Sequence, residues 1–448
     1  MRKFRALSLE AKVAAAAGAM FLSMAIARNL ISERFDINIR ATLYRVQFLL
    51  LINAFMLLGS LFVWRRIASA MILGVKPPSP CLCQAWRAGV FLFLLLTHSS
   101  FWTLFYLVAE EPHALSRVSY TCLGAYVILL FLLFALEFLA LCRRTFSRVR
   151  AKLQTPAGRE ATVPGAPGVL GRQALLAIAL TVTLCTFGLM NASLPPEVVR
   201  LEITLDKLPR SLDGLKIVLL SDIHLGSTVG RSRLDLIVSI VNRLEADLVA
   251  ITGDLADSQV SRLLSASEPL LGMKSKLGSY FVTGNHDYYT ADVKAWFAHL
   301  RALNIQALHN EHARIFHPGR KSDWLCLAGV DDLEARILRY PGHGMNVTKA
   351  LEGCSSDSPI VLLAHQPRAA RWALQERPDI GLVLSGHTHA GQLFPLSIMA
   401  YLLNPYFCGL YRVGDSSMVY VSPGTAHYGI PMRIGSRAEI TEILLRAP

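Results

Sequence analysis

Leu215-Lys-Ile-Val-Leu-Leu-Ser-Asp222-Ile-His224-Leu-Gly226 decides how this chain is read. The apolar run 217–220 stops at an aspartate and a histidine two residues apart. Taken as a buried strand, it ends by holding a carboxylate and an imidazole at one sheet edge. Neither group belongs in an apolar interior without a partner, because burying it unpaired costs free energy. Four later stretches repeat the pattern: Gly253-Asp254, Gly284-Asn285-His286-Asp287, His365 and Gly386-His387-Thr388-His389.

From about residue 200, short apolar runs alternate with helical stretches, which predicts an α/β domain over 200–448. Strands are expected at 217–220, 247–252, 279–283, 305–308, 313–316, 324–330, 360–364, 380–384, 419–421 and 439–445. Helices are expected at 233–244, 262–274, 291–303 and 368–375. The first of these has Leu234, Ile237, Val238, Val241 and Leu244 at helical spacing. Five strands end in polar residues able to bind metal. In open α/β folds the ligand crevice lies beyond the carboxyl ends of the strands. One histidine after a strand reads as an ordinary surface or core residue; five such endings in one domain point to a site. His387 and His389, two apart, fit a turn reaching in two directions, since positions i and i+2 diverge on a helix.

The ordered pattern Asp-x-His, Gly-Asp, Gly-Asn-His-Asp, His and Gly-His-x-His, spread over about residues 210–440, resembles the calcineurin-like metallophosphoesterase superfamily. The tail Gly429-Ile-Pro-Met-Arg433, followed by Glu439-Ile, resembles the end of its membrane-anchored branch. The resemblance implies two packed mixed β-sheets flanked by helices and a site for two divalent metal ions. Asp222, His224 and His389 would hold the first, with Asp254 bridging. Asp254, Asn285, His365 and His387 would hold the second. A bridging carboxylate suits two cations about 3.5–4 Å apart. Mixed nitrogen and oxygen donors favour Mn, Fe or Zn over Mg or Ca, and the absence of a Cys ligand argues against a structural zinc site.

His286 is left outside the metal ligands. It is the candidate general acid for the leaving oxygen, or a donor to the phosphoryl oxygens. Asp257 has the spacing of the aspartate that orients this histidine in phosphoprotein phosphatases. The arginine that follows in those enzymes is Ser258 here, so a phosphate clamp is missing and protein phosphatase becomes a poorer reading. Asp287 reads equally as a cap on the following turn. Asp331 and Asp332 read as lining the crevice or as a solvated loop. The expected reaction is hydrolysis of a phosphate mono- or diester by in-line attack of a hydroxide shared between the metals. The alternative is a non-catalytic metal-binding receptor or scaffold at the membrane, since a fold does not guarantee activity.

Upstream, the chain reads as membrane. Of its 448 residues only 17% are charged, too few for an ordinary soluble protein. Apolar runs at 13–27, 46–64, 88–109, 121–142 and 174–194 give four or five transmembrane helices within 1–195, the first being short. Residues 1–200 carry 21 Lys and Arg against 8 Asp and Glu, while 201–448 carry 24 of each, so the whole excess of +13 lies in the apolar half. That placement suits loops flanking membrane spans; it does not suit a nucleic-acid surface, and no nucleic-acid partner is expected. His98 and Glu137 are the ionisable groups inside the spans, too few for a transporter, and both read as structural.

Loops 65–87 and 143–173 are strongly basic, whereas the loop between the middle spans carries Glu110 and Glu111 against Arg117. The positive-inside rule puts the basic loops in the cytoplasm and residues 200–448 on the other side. Arg28, Arg34, Arg40 and Arg45 dissent, partly offset by Glu33 and Asp36. The sequons at Asn191 and Asn346 fall on that outer side, Asn191 close to the bilayer. Loop 155–171, rich in Pro, Gly and Ala, reads as a linker. Cys81, Cys83 and Cys142 lie near span ends, where S-acylation occurs, but read first as small apolar residues. Among Cys326, Cys354 and Cys408, one disulfide and three free thiols are equally open. The expected partners are the lipid bilayer and a phosphate-ester substrate, for which the position beside a bilayer suggests a lipid-linked one. Substrate choice is expected in loops 227–231, 288–292 and 394–412; the last, aromatic and apolar, reads as core ahead of a bilayer contact or a lid.

Overall fold

The computed structural model describes residues 8–30, 36–68, 79–154, 167–317, 319–355 and 357–448. Most of the linker expected at 155–171, and the basic residues Arg2, Lys3 and Arg5, lie outside them. Five helices come first: α1 (Leu9–Leu30), α2 (Ile37–Val63, continued by a π-turn Trp64–Ala68), α3 (Pro80–Tyr106), α4 (Ala114–Gln154) and α5 (Pro167–Ser193). Each contains a stretch long and apolar enough to cross a membrane. Most of them outrun the apolar runs of the sequence. α4 has 41 residues, about twice what a bilayer needs, because the arginines after Cys142 are good helix formers and continue it.

By its contacts the chain divides into two compact units. The first comprises Met1–Leu30, Arg45–Phe101 and Val118–Phe187. The two ionisable groups expected inside the spans have partners within it. His98 lies between Ser60 Oγ (3.0 Å) and Asn53 Oδ1 (2.7 Å), joining α2 to α3. Glu137 forms an ion pair with Arg66. Mutual satisfaction is what an apolar helix bundle demands of such groups.

The second unit, Ile31–Tyr44, Trp102–Arg117 and Gly188–Pro448, carries the sheets. Its strands are β1 (Glu197–Thr204), β2 (Lys216–Leu220), β3 (Leu248–Thr252), β4 (Ser279–Val282), β5 (Ile305–Ala307), β6 (Glu311–His317), β7 (Arg320–Gly329), β8 (Ile360–Leu363), β9 (Leu382–Ser385), β10 (Gly409–Val413), β11 (Ser417–Val421) and β12 (Glu439–Arg446). They form two six-stranded mixed sheets, ordered β1-β12-β2-β3-β4-β5 and β10-β11-β9-β8-β7-β6. β2 to β5 run parallel, as do β7, β8, β9 and β11. The parallel strands therefore bring their carboxyl ends to one edge of each sheet.

Alternation along the strands builds three layers of core. Ile217, Leu219, Ala250 and Val282 face Leu325, Leu327, Val361, Leu363 and Leu384 between the sheets. Val218, Leu220, Val249 and Ile251 face outward against α6 (Arg231–Arg243), α7 (Val260–Ser267) and α9 (Val293–Ala302) through Ile237, Val241, Leu263 and Trp296. α8 (Asn285–Tyr289) is one turn at the end of β4. On the second sheet Leu362, Val383 and Val419 meet α10 (Pro367–Glu376) through Ala369, Ala370 and Ala373. Cys326 on β7 and Cys354 form a disulfide, while Cys408 is not bridged.

Three expectations change. A strand begins already at Glu197, pairing parallel with β12. Tyr288 and Tyr289, expected within loop 288–292, belong to the turn α8. The stretch 394–412, read as core, forms α11 (Leu396–Leu403), none of whose residues is buried, and the edge strand β10. An apolar composition predicts burial only when the fold provides a covering surface, and among the described residues Phe407 on Tyr401 covers only a small part of this helix. Asn191, expected near the bilayer, donates through Nδ2 to the carbonyls of Arg433 and Ser436.

Candidate metal centre

The residues singled out in the sequence converge at the carboxyl ends of β2, β3, β4, β8 and β9. Asp222 and His224 follow β2, Asp254 follows β3, Asn285 and His286 open α8, His365 follows β8, and His387 and His389 follow β9. Three overlapping groups result: Asp222, His224 and His389; His224, Asp254 and His286; Asp254, His365 and His387. Asp254 Oδ2 lies 3.7 Å from His224 Nε2 and 3.2 Å from His365 Nε2, so one carboxylate oxygen faces both clusters. Asn285 Oδ1 is 3.2 Å from His365 Nε2 and 2.9 Å from His387 Nδ1.

The backbone is bent to achieve this. Asp222, His224, Asp254, His387 and His389 all have φ between 51° and 72°. Non-glycine residues avoid that region, at a cost of about 1–3 kcal/mol each, and clustering of such residues marks functional sites. Glycines admit the close approaches. A Cβ on Gly386 would stand 1.8 Å from Ser221 Oγ and 2.3 Å from Asp222 Oδ2, and one on Gly284 would stand 2.2 Å from Asp254 Oδ1. The glycine preceding Asn285 and the glycine preceding His387 thus have a steric reason.

The donor set fits divalent cations. His224 Nε2 and His389 Nε2 face each other at 3.0 Å, and two ring nitrogens so placed converge their lone pairs on one position. His224 Nδ1 is engaged 2.9 Å from Asp257 Oδ1. His365 Nδ1 donates to Thr252 O at 2.6 Å, which leaves Nε2 for the site. Such outer hydrogen bonds fix the tautomer of metal-binding histidines. Burial drives His387 down to about 3, and with His224 and Arg433 nearby holds His389 well below the usual range, so both rings are neutral donors. Burial raises the Asp222 carboxyl. Burial works against Asp254 as an anion too, yet His365 and His286 hold it well below the ordinary carboxylate range.

Asp222 is fixed by Ser221 Oγ at 2.5 Å and by His387 N at 3.0 Å. Asp287 accepts from the backbone of Gly284 (2.7 Å) and Asp254 (3.0 Å), the capping geometry, and burial with Asp254 beside it pushes it up to about 7. Asp331 and Asp332 are buried, which removes the solvated-loop reading. Asp331 is held by His309, Asn310 and Gly344, and Asp332 accepts from Gln366 Nε2.

Comparison with known proteins agrees with this geometry. Residues 215–391 match the model of the calcineurin-like phosphoesterase family. The chain is 59% identical to a Danio rerio protein named transmembrane protein with metallophosphoesterase domain, over 99% of both chains. It is 52% identical to the Bos taurus protein of the same name, over 100% of both. An uncharacterized metallophosphoesterase of Helicobacter pylori is 39% identical over 56% of this chain and 64% of its own length. The chain belongs to the calcineurin-like phosphoesterase family.

Within this phosphoesterase domain the structure adds residues that spacing did not reveal. Tyr428 lies with its ring centroid 4.4 Å from that of His286 and 4.8 Å from that of His224. Tyr289 packs on His286 at 5.1 Å. Arg433 is completely buried and donates to the carbonyls of Pro423, Gly424 and Ala426, the loop that carries Tyr428. Tyr428 comes from a loop after β11, and tyrosine is not among the metal-binding residue types that mark the strand ends, so its sequence position carried no signal.

Proposed function

We propose that residues 200–448 hydrolyse a phosphate mono- or diester in a divalent-metal-dependent reaction on the non-cytoplasmic side of a membrane. The observation that carries this reading is Asp254 Oδ2 facing both His224 and His365, with His286 beside them. Asp222, His224, His389 and Asp254 would hold one cation; Asp254, Asn285, His365 and His387 would hold the other. Mn, Fe or Zn suit these donors. When bound, the cations supply Lewis-acid activation of water and screen the phosphoryl oxygens.

The chain's own residues do the rest. Asp257 Oδ1, 2.9 Å from His286 Nδ1, fixes the ring so that Nε2 is the atom offering a proton to the leaving oxygen. His286 N donates to Asp254 Oδ1 at 2.8 Å, which keeps the carboxylate and the acid in register. The rings of Tyr289 and Tyr428 wall His286 from bulk water.

Two observations favour the non-cytoplasmic side. The Cys326–Cys354 disulfide belongs in an oxidising compartment. The acidic α3–α4 loop, separated from β1 by two spans, packs on the phosphoesterase domain. Ser232 N donates to Glu111 Oε1 at 2.6 Å and Arg231 N to Glu110 O at 2.9 Å. The test is full-length protein in detergent, loaded with Mn, Fe or Zn and given an aryl phosphate monoester and an aryl phosphate diester. Turnover abolished by chelator and by Asp254→Ala, with the fold retained, is expected. Turnover unchanged in Asp254→Ala would overturn the assignment; a metal-loaded protein inert to both esters would leave the non-catalytic receptor or scaffold.

A further inference from the structure

The phosphoesterase domain exposes one concentrated apolar element. In α11 no residue is buried; Tyr401, Leu402 and Leu403 are 65%, 69% and 61% exposed, and Ile398 and Met399 are exposed beside them. No Asp, Glu, Lys or Arg occurs between His389 and Arg412. A soluble surface does not keep such a helix in water without a use for it.

Its attachments say what covers it. At one end α11 is fixed to the loop of candidate metal ligands: a Cβ on Gly391 would stand 2.1 Å from Ser397 Cα. Thr388, between His387 and His389, donates to Phe407 O at 2.6 Å just beyond α11. The residues leading into α11 are bonded to segment 432–436: Ile434 N donates to Gln392 O at 2.9 Å and Phe394 N to Ile434 O at 3.1 Å. That same segment holds the end of α5. Arg433 N donates to Gly188 O at 3.0 Å, and Asn191 Nδ2 to Arg433 O at 2.9 Å. Residues 188–193 close the candidate span Gly171–Ser193. One short segment therefore carries the exit of a membrane helix on one side and the start of α11 on the other.

We propose that α11 lies in the bilayer leaflet at which α5 ends, and that the substrate is a phosphate ester carried on a membrane lipid. This rests on the phosphoesterase reading above. An apolar helix set in the interface takes lipid around its side chains, and its rigid link to His387–His389 puts the metal ligands next to the headgroup layer. The acyl chain, which would have to leave the bilayer to reach a site remote from it, then stays in lipid.

Two readouts test this on full-length protein in phosphatidylcholine vesicles. The first is fluorescence of Leu402→Trp with brominated lipid: the emission of the introduced indole, taken as the difference from wild type, should be quenched at least twofold. The second is kcat/KM for hexadecyl phosphate relative to butyl phosphate, and for hexadecyl methyl phosphate relative to butyl methyl phosphate. In at least one pair the hexadecyl ester should be favoured tenfold or more, and Leu402→Glu with Leu403→Glu should bring the ratio within twofold of one while the butyl ester is hydrolysed as before. Absence of quenching overturns the bilayer contact and leaves this face to a protein partner. Quenching with both wild-type ratios near one, or with a ratio unmoved by the double variant, overturns the lipid-borne substrate. Failure to hydrolyse any ester, aryl phosphates included, overturns the phosphoesterase reading and with it the substrate, while the fluorescence still decides where α11 lies.

Discussion

His286 Nδ1 lies 2.9 Å from Asp257 Oδ1. The same oxygen is 2.9 Å from His224 Nδ1, so Asp257 orients a proposed metal ligand and the proposed acid at once. Those two histidines should therefore separate on mutation. His286→Ala should lower turnover by about 100-fold or more, the size of a lost general acid, and leave metal content unchanged. Asp257→Ala should lower turnover and also weaken metal binding by about 10–100-fold, as loss of an outer partner of a ligand histidine does. Titration of bound metal beside the rate measurement checks this. Full metal affinity in Asp257→Ala would show that His224 needs no such support.

The site was legible because ligand chemistry leaves few residue choices: Asp222, His224, Asp254 and His387 each follow a short apolar strand, and both the strand and the polar ending are visible one residue at a time. The sheets were legible for the same reason. What stayed hidden depended on neighbours distant in sequence. Asp257 touching His224 as well as His286 is set by the way Leu225 and Ala256 bridge between two loops. The composition of α11 matches a core helix, and only the fold shows that none of its residues is buried, with little beyond Phe407 packing on Tyr401. The shared work of Arg433, tying Gly424 and Ala426 together while its backbone meets Gly188, is a contact across hundreds of residues.

The cluster His309–Asp331 should give the domain a measurable pH dependence away from the metal centre. Burial opposes ionisation of Asp331, yet hydrogen bonds from His309, His343 and Gly344 hold it at about 2. A carboxyl with a depressed pKa stabilises the fold above its unfolded value of 3.8 and loses that contribution as pH falls toward 2. His309 is raised by its hydrogen bond to Asp331, at 2.7 Å, so its contribution is complete below 6.5 and fades as pH rises through its folded value. Asp331→Asn should thus cost most between about pH 4 and 6.5, about 2 kcal/mol, with the deficit shrinking on both sides. Thermal unfolding of wild type and variant across pH checks this; a deficit independent of pH would assign Asp331 a purely steric role.

The Cys326–Cys354 bridge closes a loop with a sequence separation of 28. Removing such a cross-link frees the unfolded chain, which in the loop-entropy description costs about 3–4 kcal/mol. The double variant Cys326→Ser with Cys354→Ser should melt lower than wild type by that amount, and wild type in strong reductant should approach it. Alkylation of intact cells before and after reduction reads the compartment in the same experiment. Thiols at these two positions that react without reductant would put the domain in a reducing compartment and contradict the proposed side.

Arg433 offers the sharpest contrast between a buried and an exposed cation on neighbouring residues. Its guanidinium is fully buried with no carboxylate within ion-pair distance among the described residues. Burial lowers it to about 10, and Asp222 opposes that shift. Its Nη2 donates to Pro423 O at 2.9 Å and Gly424 O at 3.2 Å, its Nε to Ala426 O, and its Nη1 to Arg437 O at 3.0 Å. A planar fork makes those bonds; an ammonium on a flexible stem cannot reach them together. Each hydrogen bond to a charged group contributes about 1.5–3 kcal/mol, so Arg433→Lys, losing at least one, should destabilise the domain by about 2–4 kcal/mol. Gly424 also packs against His389 and Asp222, where an added Cβ would stand 3.1 Å from each. The variant should therefore bind divalent metal more weakly as well. Arg437→Ala is the control: its guanidinium pairs with Glu197 at 3.5 Å with both side chains about half exposed. Such pairs contribute about 0–1 kcal/mol. Its backbone carbonyl, the part Arg433 uses, remains in the variant. Equal losses of stability and metal affinity in the two variants would mean that the bonds of Arg433 contribute no more than an exposed ion pair, and that the loop under His389 is held by something else.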